Sequence, residues 1–526
     1  MDTATAPRSA RPRTATRLAA ALPWAGYGLL AAAAGLGLAH ALAAVTDPAT
    51  SPVLAVGSAV IDLTPTPAKE WAIRTFGSAD KAVLVGSVLA GVLALAAISG
   101  LLARRRLRYG AAVLLLLVAV AALAVLSRPA AGPTDLGPCL LAAASSVAAL
   151  AWLRHAHLAA RAATPGARDG RGGRRGLLLV AGAVAATAAT GGLLGRLVSG
   201  LRLRPEEIAL PTPATPLPPL PAGLDAPGGP ARAITPWRTP TGDFYRVDTR
   251  LDVPVVDSRD WTLTIDGDVD REVTLTFDDL LAMELIERDI TLTCVSNSVG
   301  GPYAGGARWL GARLTDVLDL AGVGRGADQI LSTDVGGMTI STPLALATDG
   351  RDSLLAVGMN GAALPREHGF PARLVVPGLY GFIGATKWVT RLTLTGYAER
   401  SAYWTDRGWA TDAPIKPSAR IDTPRPLATL APGEVVVGGI AWAQDDGGVS
   451  GVQVRVDGGP WRDATLGPDA GERYWRQWYL RWDAPEGSHR IAARALTGDG
   501  GTQTPVRAEP FPAGASGLHE LIVTVG

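Results

Sequence analysis

Apolar runs with hardly a charge inside them recur through the first two hundred positions of the chain: residues 18–45, 82–103, 109–127, 136–153 and 177–195. Each is close to the ~20 residues that cross a bilayer as a helix. In lipid such a segment must satisfy its own backbone hydrogen bonds, which only a helix does. The pattern therefore predicts an all-α transmembrane region of five helices over residues 1–200, with the lipid bilayer as its first partner. Between 201 and 240 the texture is proline-rich, with Pro211, Pro213, Pro216, Pro218, Pro219 and Pro221 close together. Such a run favours extended polyproline II and reads as a semi-rigid linker that holds the next domain off the membrane.

Beyond residue 241 the period changes to strict alternation. Trp261-Thr-Leu-Thr-Ile-Asp-Gly and Val273-Thr-Leu-Thr-Phe read as short strands around a turn. Thr276-Phe-Asp-Asp before Leu280 and Leu281 predicts a capped helix start. Residues 289–294 read as a strand. Residues 314–320 read as a short helix closed by Gly322, and 373–377 as an apolar strand ending in a glycine-rich loop. Strands and helices mixed without a regular βαβ repeat predict an α+β domain over 241–410. From 411 to 526 short strands follow at regular spacing, with turns such as Asp457-Gly458. That spacing predicts an all-β, immunoglobulin-like sandwich with a structural or dimerisation role, so a homodimer through this domain is expected.

Charge adds orientation. Lys and Arg total 49 against 47 Asp and Glu, a net +2, which gives no reason to expect a nucleic-acid partner. The arginines, however, alternate. Arg8, Arg11, Arg13 and Arg17 precede the first apolar run. Arg104, Arg105, Arg106 and Arg108 follow the second, and Arg154, Arg161, Arg168, Arg171, Arg174 and Arg175 follow the fourth. Under the positive-inside rule the N-terminus is cytoplasmic. Five crossings then place everything after residue 195 outside, in a multi-pass plasma-membrane protein. Arg174-Arg175-Gly176-Leu177-Leu178-Leu179 also resembles a twin-arginine export signal, a receptor-read address. The simpler reading is an arginine pair that stops a helix at the inner face.

Two cysteines, Cys139 and Cys294, lie in different regions and give no disulfide framework. No CxxCH and no Cys/His zinc cluster is present. His40, near the outer end of its run, and His155 and His157, at the inner end, do not match in depth, so no haem is predicted. Cys294 by itself reads more readily as a buried structural cysteine than as a ligand.

Three segments change that weighting: Asp243-Phe-Tyr-Arg-Val-Asp248, Thr291-Leu-Thr-Cys-Val-Ser-Asn297, and the run from Met359 to Lys387-Trp388 that contains Pro-Arg-Glu-His-Gly-Phe-Pro-Ala-Arg and Gly-Phe-Ile-Gly-Ala-Thr-Lys. Together they resemble the sulfite oxidase family of molybdopterin-dependent oxidoreductases over residues 243–394, with a weaker likeness through the sandwich. The resemblance implies a molybdenum-molybdopterin cofactor with Cys294 as its metal ligand, a soft thiolate suited to a sulfur-bound metal. It implies cofactor contacts from Phe244, Tyr245, Arg246, Thr333, His368, Arg373, Gly384, Ala385, Thr386 and Lys387, and catalytic roles for Cys294, Tyr245 and Arg246. Trp309 matches an aromatic of the family, and Asp248 stands where sulfite oxidases tend to carry histidine. Sulfite oxidases also place arginines just after the ligand cysteine, where this chain has Ser298 and Val299. Without that charge a dianion is harder to bind. The implied activity is oxo transfer on a small sulfur compound, either sulfoxide reduction, as in the bacterial periplasmic methionine-sulfoxide reductases, or sulfite oxidation. Electrons would pass to or from an external cytochrome or quinone-linked carrier. The competing reading is a non-catalytic membrane protein that displays a degenerate domain for binding or assembly. Intact Cys294, His368, Arg373 and Lys387 argue against it.

Overall fold

The computed structural model describes residues 13–65, 68, 71–72, 75–76, 79–162, 170–202 and 208–526. Arg8, Arg11, Arg168 and the start of the proline-rich segment at 203–207 lie outside them. The chain separates into two units. One comprises Met1–Arg204 with Thr249–Val255, the other Pro205–Asp248 with Val256–Gly526.

The first unit is helical: α1 (Arg13–Val45), α2 (Pro52–Leu63), α3 (Asp80–Ala103), α4 (Leu107–Leu126), α5 (Gly137–Ala162) and α6 (Gly170–Arg202). Five segments, Ala21–Val45, Lys81–Ala103, Leu107–Leu126, Pro133–Ala162 and Arg175–Arg202, are long and apolar enough to cross a membrane. α2 was not anticipated, because its twelve residues are too few to span. Small residues bring the helices together. A Cβ on Gly28 would stand 1.9 Å from the Ala96 carbonyl oxygen, and one on Gly100 would stand 1.9 Å from that of Trp24. α1 and α3 thus touch backbone to backbone, as small residues at a helix interface permit.

Two helix boundaries differ from expectation. α5 runs on to Ala162, so Arg154, His155 and His157 lie within the helix rather than beyond it. His157 is buried, and its Nδ1 lies 2.8 Å from the Tyr27 hydroxyl. α6 begins at Gly170, which puts Arg174 and Arg175 inside a helix instead of ahead of one. No proline interrupts 170–202, and without one a helix propagates through several glycines, each costing only about 1 kcal/mol.

The second unit holds two sheets and a sandwich. In chain order its first part carries β1 (Thr262–Gly267), β2 (Val273–Thr276), α7 (Phe277–Ala282), β3 (Leu285–Thr293), β4 (Ala304–Arg313), α8 (Leu314–Asp319), β5 (Gln329–Asp334), β6 (Thr339–Pro343), α9 (Leu344–Ala347), β7 (Leu354–Met359), β8 (Ala362–Ala363), β9 (Arg373–Val375), α10 (Gly381–Gly384) and β10 (Val389–Thr395). One sheet is ordered β2-β1-β10-β5-β6 and the other β3-β4-β7-β8, with β9 joined to β7. Thr276 opens α7 with a reciprocal cap: its hydroxyl accepts from the Asp279 amide, and the Asp279 carboxylate accepts from the Thr276 amide. A shared core, including Leu263, Ile265, Leu280, Leu314, Leu374 and Leu392, fills the space between the sheets.

The sandwich adds β11 (Ser418–Thr423), β12 (Thr429–Leu430), β13 (Gly433–Trp442), β14 (Val449–Val456), β15 (Arg462–Asp463), β16 (Thr465–Leu466), β17 (Arg476–Ala484), β18 (Gly487–Thr497) and β19 (His519–Val525). Its sheets run β11-β13-β17-β16 and β12-β19-β18-β14-β15, closed over Val437, Val454, Trp478, Ile491 and Val523. Asp457 and Gly458, at φ 52° and 70°, make the tight turn that the sequence predicts.

Part of the proline-rich segment, expected to be a semi-rigid linker over 201–240, is held along β3 and by Arg308. The Ala214 amide donates to the Leu285 carbonyl at 2.8 Å, and Thr215 bridges to Ile286 in parallel. Glu287 accepts from the Leu217 amide at 2.9 Å, while Arg308 donates to the Leu217 and Pro218 carbonyls at 3.1 and 2.8 Å. Proline lacks a donor and cannot build a full ladder. Its neighbours' carbonyls still accept, and β3 is an edge strand with groups to spare.

Candidate cofactor site

Cys294 is the first residue past β3. Its carbonyl accepts from the Asn297 amide at 3.0 Å, and its own amide donates to the Tyr303 carbonyl at 3.0 Å. Asn297 Oδ1 accepts from the Tyr303 amide at 2.8 Å, so the connection to β4 is closed on itself. The Cys294 thiol is buried, 3.0 Å from the Ser296 hydroxyl. Burial pushes its pKa up, against the hydrogen bond from Ser296 and the nearby Lys387 charge. A sulfur held this way stays protonated until a cation replaces the proton.

Beside it stands an aromatic wall. Phe244 stacks on Tyr245 at 5.2 Å and meets Trp309 and His368 edge-on at 5.8 and 5.5 Å. Gly305 leaves room for this ring, since a Cβ there would stand 2.6 Å from it. The Tyr245 phenol is driven up by burial and then by its proximity to Cys294, so it remains a neutral donor.

The cations are unusually placed. Arg373, on β9, is 5% exposed and lies 5.0 Å over the Trp309 ring. Its Nη1 donates to the His368 carbonyl at 3.1 Å, but its Nε has no partner among the described residues. Burial lowers its pKa to about 10. His368 is buried, with Nε2 3.3 Å from the Thr241 carbonyl. A carbonyl only accepts, so Nε2 carries the hydrogen. Burial, then the Arg373 and Lys387 charges, bring His368 down to about 4. Lys387 is lowered to about 8 by burial, although its Nζ lies 2.6 Å from Asp248. Asp248 also accepts from Arg246 Nε at 2.8 Å. The residue standing at the family's histidine position thus bridges two of the predicted contacts. Gly369 (φ +109°) lets this turn close: a Cβ there would lie 3.0 Å from Arg373 Cβ and 3.1 Å from Lys387 Cα.

The loop Gly384-Ala385-Thr386 hangs on backbone bonds: Leu374 donates to the Thr386 carbonyl and Val376 to that of Gly384, both at 2.8 Å. The Thr386 hydroxyl lies 2.5 Å from that of Ser332. Thr333 is not brought to this point. Alternation along β5 turns its side chain to the opposite face from Ser332, and its carbonyl accepts from Thr390. Of the other predicted residues, Ala385 joins the cluster of Phe244, Trp309 and Phe370. Sequence reasoning missed Ser332, one position from the residue it chose. It also passed over Tyr380, which lay inside the long motif. Tyr380 is buried and pushed up to about 12 by burial, with Cys294 near enough to add to the shift. Ser298 is exposed and Val299 half-buried.

Among the described residues no group of three His, Cys, Asp or Glu side chains converges to hold a metal. Arg373, a buried guanidinium with an unused donor, and the glycine-bearing loop at 384–387 suit a phosphate-bearing group.

Residues 250–404 match the model of the oxidoreductase molybdopterin binding domain, and 417–493 that of a bacterial Ig domain. Mitochondrial sulfite oxidases of Rattus norvegicus and Homo sapiens are each 33% identical to the chain, over 293 and 299 residues. These stretches cover 47% and 48% of this chain and 53% and 54% of theirs. The chain thus spans about half the length of the curated relatives it matches. The sulfane dehydrogenase SoxCD of Paracoccus pantotrophus shares the fold, at 24% identity and TM-score 0.50, over 56% of this chain and 83% of that one.

Proposed function

We propose that the chain, whose residues 250–404 match the oxidoreductase molybdopterin binding domain and which is 33% identical to a mitochondrial sulfite oxidase over 293 residues, is a membrane-anchored molybdopterin oxidoreductase of the sulfite-oxidase type that transfers oxygen to or from a small sulfur compound. The observation that carries the reading is a lone buried thiol, Cys294, in the same domain as a buried guanidinium, Arg373, whose Nε is unused. Cys294 would ligate the molybdenum. Arg373, His368, Lys387 and the loop Gly384-Ala385-Thr386 would hold the pterin and its phosphate, with Phe244, Tyr245 and Arg246 beside them. When bound, the group supplies two-electron oxo transfer at the metal.

The chain's own residues narrow the substrate. Arg246 is tied to Asp248, and Ser298 and Val299 bring no charge. An uncharged oxo compound such as a sulfoxide therefore fits better than the sulfite dianion. Tyr245, kept protonated by burial, donates a hydrogen bond to an oxygen on the substrate. Sulfite oxidation is the second reading, supported by the likeness to sulfite oxidases. Sulfoxide reduction draws two electrons from an external cytochrome or quinone-linked carrier, and sulfite oxidation delivers two to it. The helices anchor the chain in the plasma membrane with its N-terminus inside and the site outside, and the sandwich serves as a dimer contact.

The test is elemental analysis of the purified full chain followed by turnover. The reading expects about one molybdenum per chain and reduction of methyl sulfoxides by a dithionite-reduced dye. Sulfite-dependent dye reduction alone would transfer the assignment to the second reading. No molybdenum, even from cells that make the cofactor, would leave only the non-catalytic display of a degenerate domain.

A further inference from the structure

Three backbone or side-chain groups of Thr291, three residues before Cys294, are held by the sandwich. Gln444 Nε2 donates to the Thr291 carbonyl at 2.6 Å. The Thr291 amide donates to the Arg473 carbonyl at 3.0 Å. The Thr291 hydroxyl accepts from the Trp475 amide at 2.9 Å. β3 is an edge strand of its sheet, and a local fold change at its end would move the thiol. Gln444 is fully buried, and its Nε2 also donates to the Arg473 carbonyl at 3.0 Å.

The next residue reaches the other side of the cofactor site. Asp445 accepts from Arg351 Nη1 at 3.1 Å and from Arg473 Nη1 at 2.8 Å. The same Arg351 nitrogen donates to the Pro377 carbonyl at 2.9 Å, while Asp349 grips its other nitrogens. Pro377 opens the segment that leads to Gly384-Ala385-Thr386-Lys387. Gly378, at φ +81°, leaves room for Asp445: a Cβ there would stand 2.1 Å from Oδ1. The Ile415 amide donates to the Gly378 carbonyl at 2.7 Å. Two consecutive side chains of the sandwich thus tie the ligand strand and the cofactor loop to one point.

We propose that Gln444 and Asp445 are positioning residues that set the spacing between the Cys294 thiol and the cofactor loop. The sandwich is then part of the redox site rather than a support alone. The inference rests on reading Cys294 as the metal ligand. Neither residue touches the reacting atoms; each acts through Thr291 or through Pro377 and Gly378. A thiolate displaced by a fraction of an ångström alters its overlap with the metal, and remote misplacements of about 1 Å can cost about a hundredfold in rate.

The experiment compares full-length parent with Gln444→Met, which keeps the shape but removes the donor, and with Asp445→Asn. Thr291→Val, which removes only the hydroxyl, is carried alongside in case either variant fails to fold. Three quantities are read: molybdenum content, the electron paramagnetic resonance spectrum of the one-electron-reduced metal, and the alkylation rate of Cys294 in cofactor-free protein, followed on its own peptide. The expected result is metal content above about half that of the parent, a changed spectrum, and alkylation faster by about fivefold or more, since the thiol's protection by local structure weakens. kcat should fall by about tenfold with KM nearly constant. Parent spectrum and parent alkylation rate in all folded variants would overturn the positioning role. No molybdenum in the parent would instead overturn the reading of Cys294 on which it rests.

Discussion

The guanidinium of Arg373 lies 5.0 Å from the centroid of the Trp309 ring and donates to the His368 carbonyl, while its Nε has no partner among the described residues. A cation–π contact offsets part of the desolvation of such a charge, on the order of 1–2 kcal/mol. The depression of Arg373 to about 10 leaves a residual cost of about 3 kcal/mol. A protein keeps a buried cation in that state where an anion comes to meet it.

Arg373→Met should therefore act in opposite senses on the two forms of the protein. Without cofactor the variant loses a buried, underpaired charge and should be as stable as the parent or more so, by about 1–3 kcal/mol. With cofactor it should retain at most about a tenth of the parent's pterin. Denaturant unfolding of the empty protein and pterin content of the loaded one give the two signs. A variant that is destabilised when empty yet fully loaded would show that Arg373 serves the core alone.

Cys294→Ser should leave the fold in place and abolish turnover. The side chain is small and its nearest polar neighbour, the Ser296 hydroxyl at 3.0 Å, can bond to oxygen as well. Stability should change by less than about 1 kcal/mol, while oxo transfer falls by about three orders of magnitude or more. Turnover at the parent rate would remove the thiolate from the mechanism.

His368 makes a prediction in pH. Its folded value is about 4 against an ordinary 6.5. Its contribution is complete above 6.5 and is lost as the pH falls through about 4, because the unfolded chain takes up the proton first. Across that window the cofactor-free protein should lose about 3 kcal/mol from this group. The difference in unfolding free energy between parent and His368→Gln should carry that slope between pH 6.5 and 4 and be flat above 7. A flat difference throughout would mean that water reaches the ring.

How far these residues could be read in advance differs by kind. Strands β1 and β2 announce themselves by alternation, and the apolar helices by the absence of charge, because both signals are local. Cys294, His368, Arg373 and Lys387 were legible only through a resemblance, since nothing in a lone cysteine says what it faces. The resemblance points to Thr333, whereas Ser332 is the residue of β5 that meets the Thr386 hydroxyl, because a period of two turns neighbours to opposite faces. The role of the proline-rich segment was illegible. Composition reports that 211–221 is extended, but not that Arg308 and Glu287, some seventy to ninety positions away, will hold it. Gln444 and Asp445 were beyond reach for the same reason, as their partners are 153 and 94 positions distant.

The clamped proline-rich segment leads to a fourth expectation. Arg308 forms a two-pronged pair with Asp289, at 3.0 and 2.7 Å, as well as holding Leu217 and Pro218. Arg308→Ala leaves Asp289 buried without its partner and should destabilise by about 3–5 kcal/mol. It should also expose 214–218 to a nonspecific protease that the parent resists. Arg308→Lys keeps the charge but loses the planar fork, and should fall between. Rapid cleavage of the parent within 211–221 would return the segment to a free stalk.

The last expectation concerns which side of the membrane the site faces, and how it arrives there. Under the positive-inside rule the arginine alternation leads to the expectation that the part beyond residue 195 is outside. Both native cysteines are buried, so a cysteine introduced at exposed Val506 reports alone. In intact spheroplasts Val506→Cys should react with a membrane-impermeant maleimide, whereas Arg105→Cys, in the connection between α3 and α4, should react only after lysis. A cofactor inserted into a folded pocket on the inner side cannot be threaded through a narrow channel with an unfolded chain. The domain should then cross folded, with Arg174 and Arg175 as its address. Those arginines lie within α6 rather than ahead of it, so an address there would be read before that helix is complete. Arg174→Lys with Arg175→Lys keeps the positive-inside bias and removes the guanidinium pair. If the pair is an address, Val506→Cys in this background becomes unreactive from outside while the protein still holds molybdenum. If labelling and activity match the parent, the two arginines serve only as a charge cluster that fixes the end of a span.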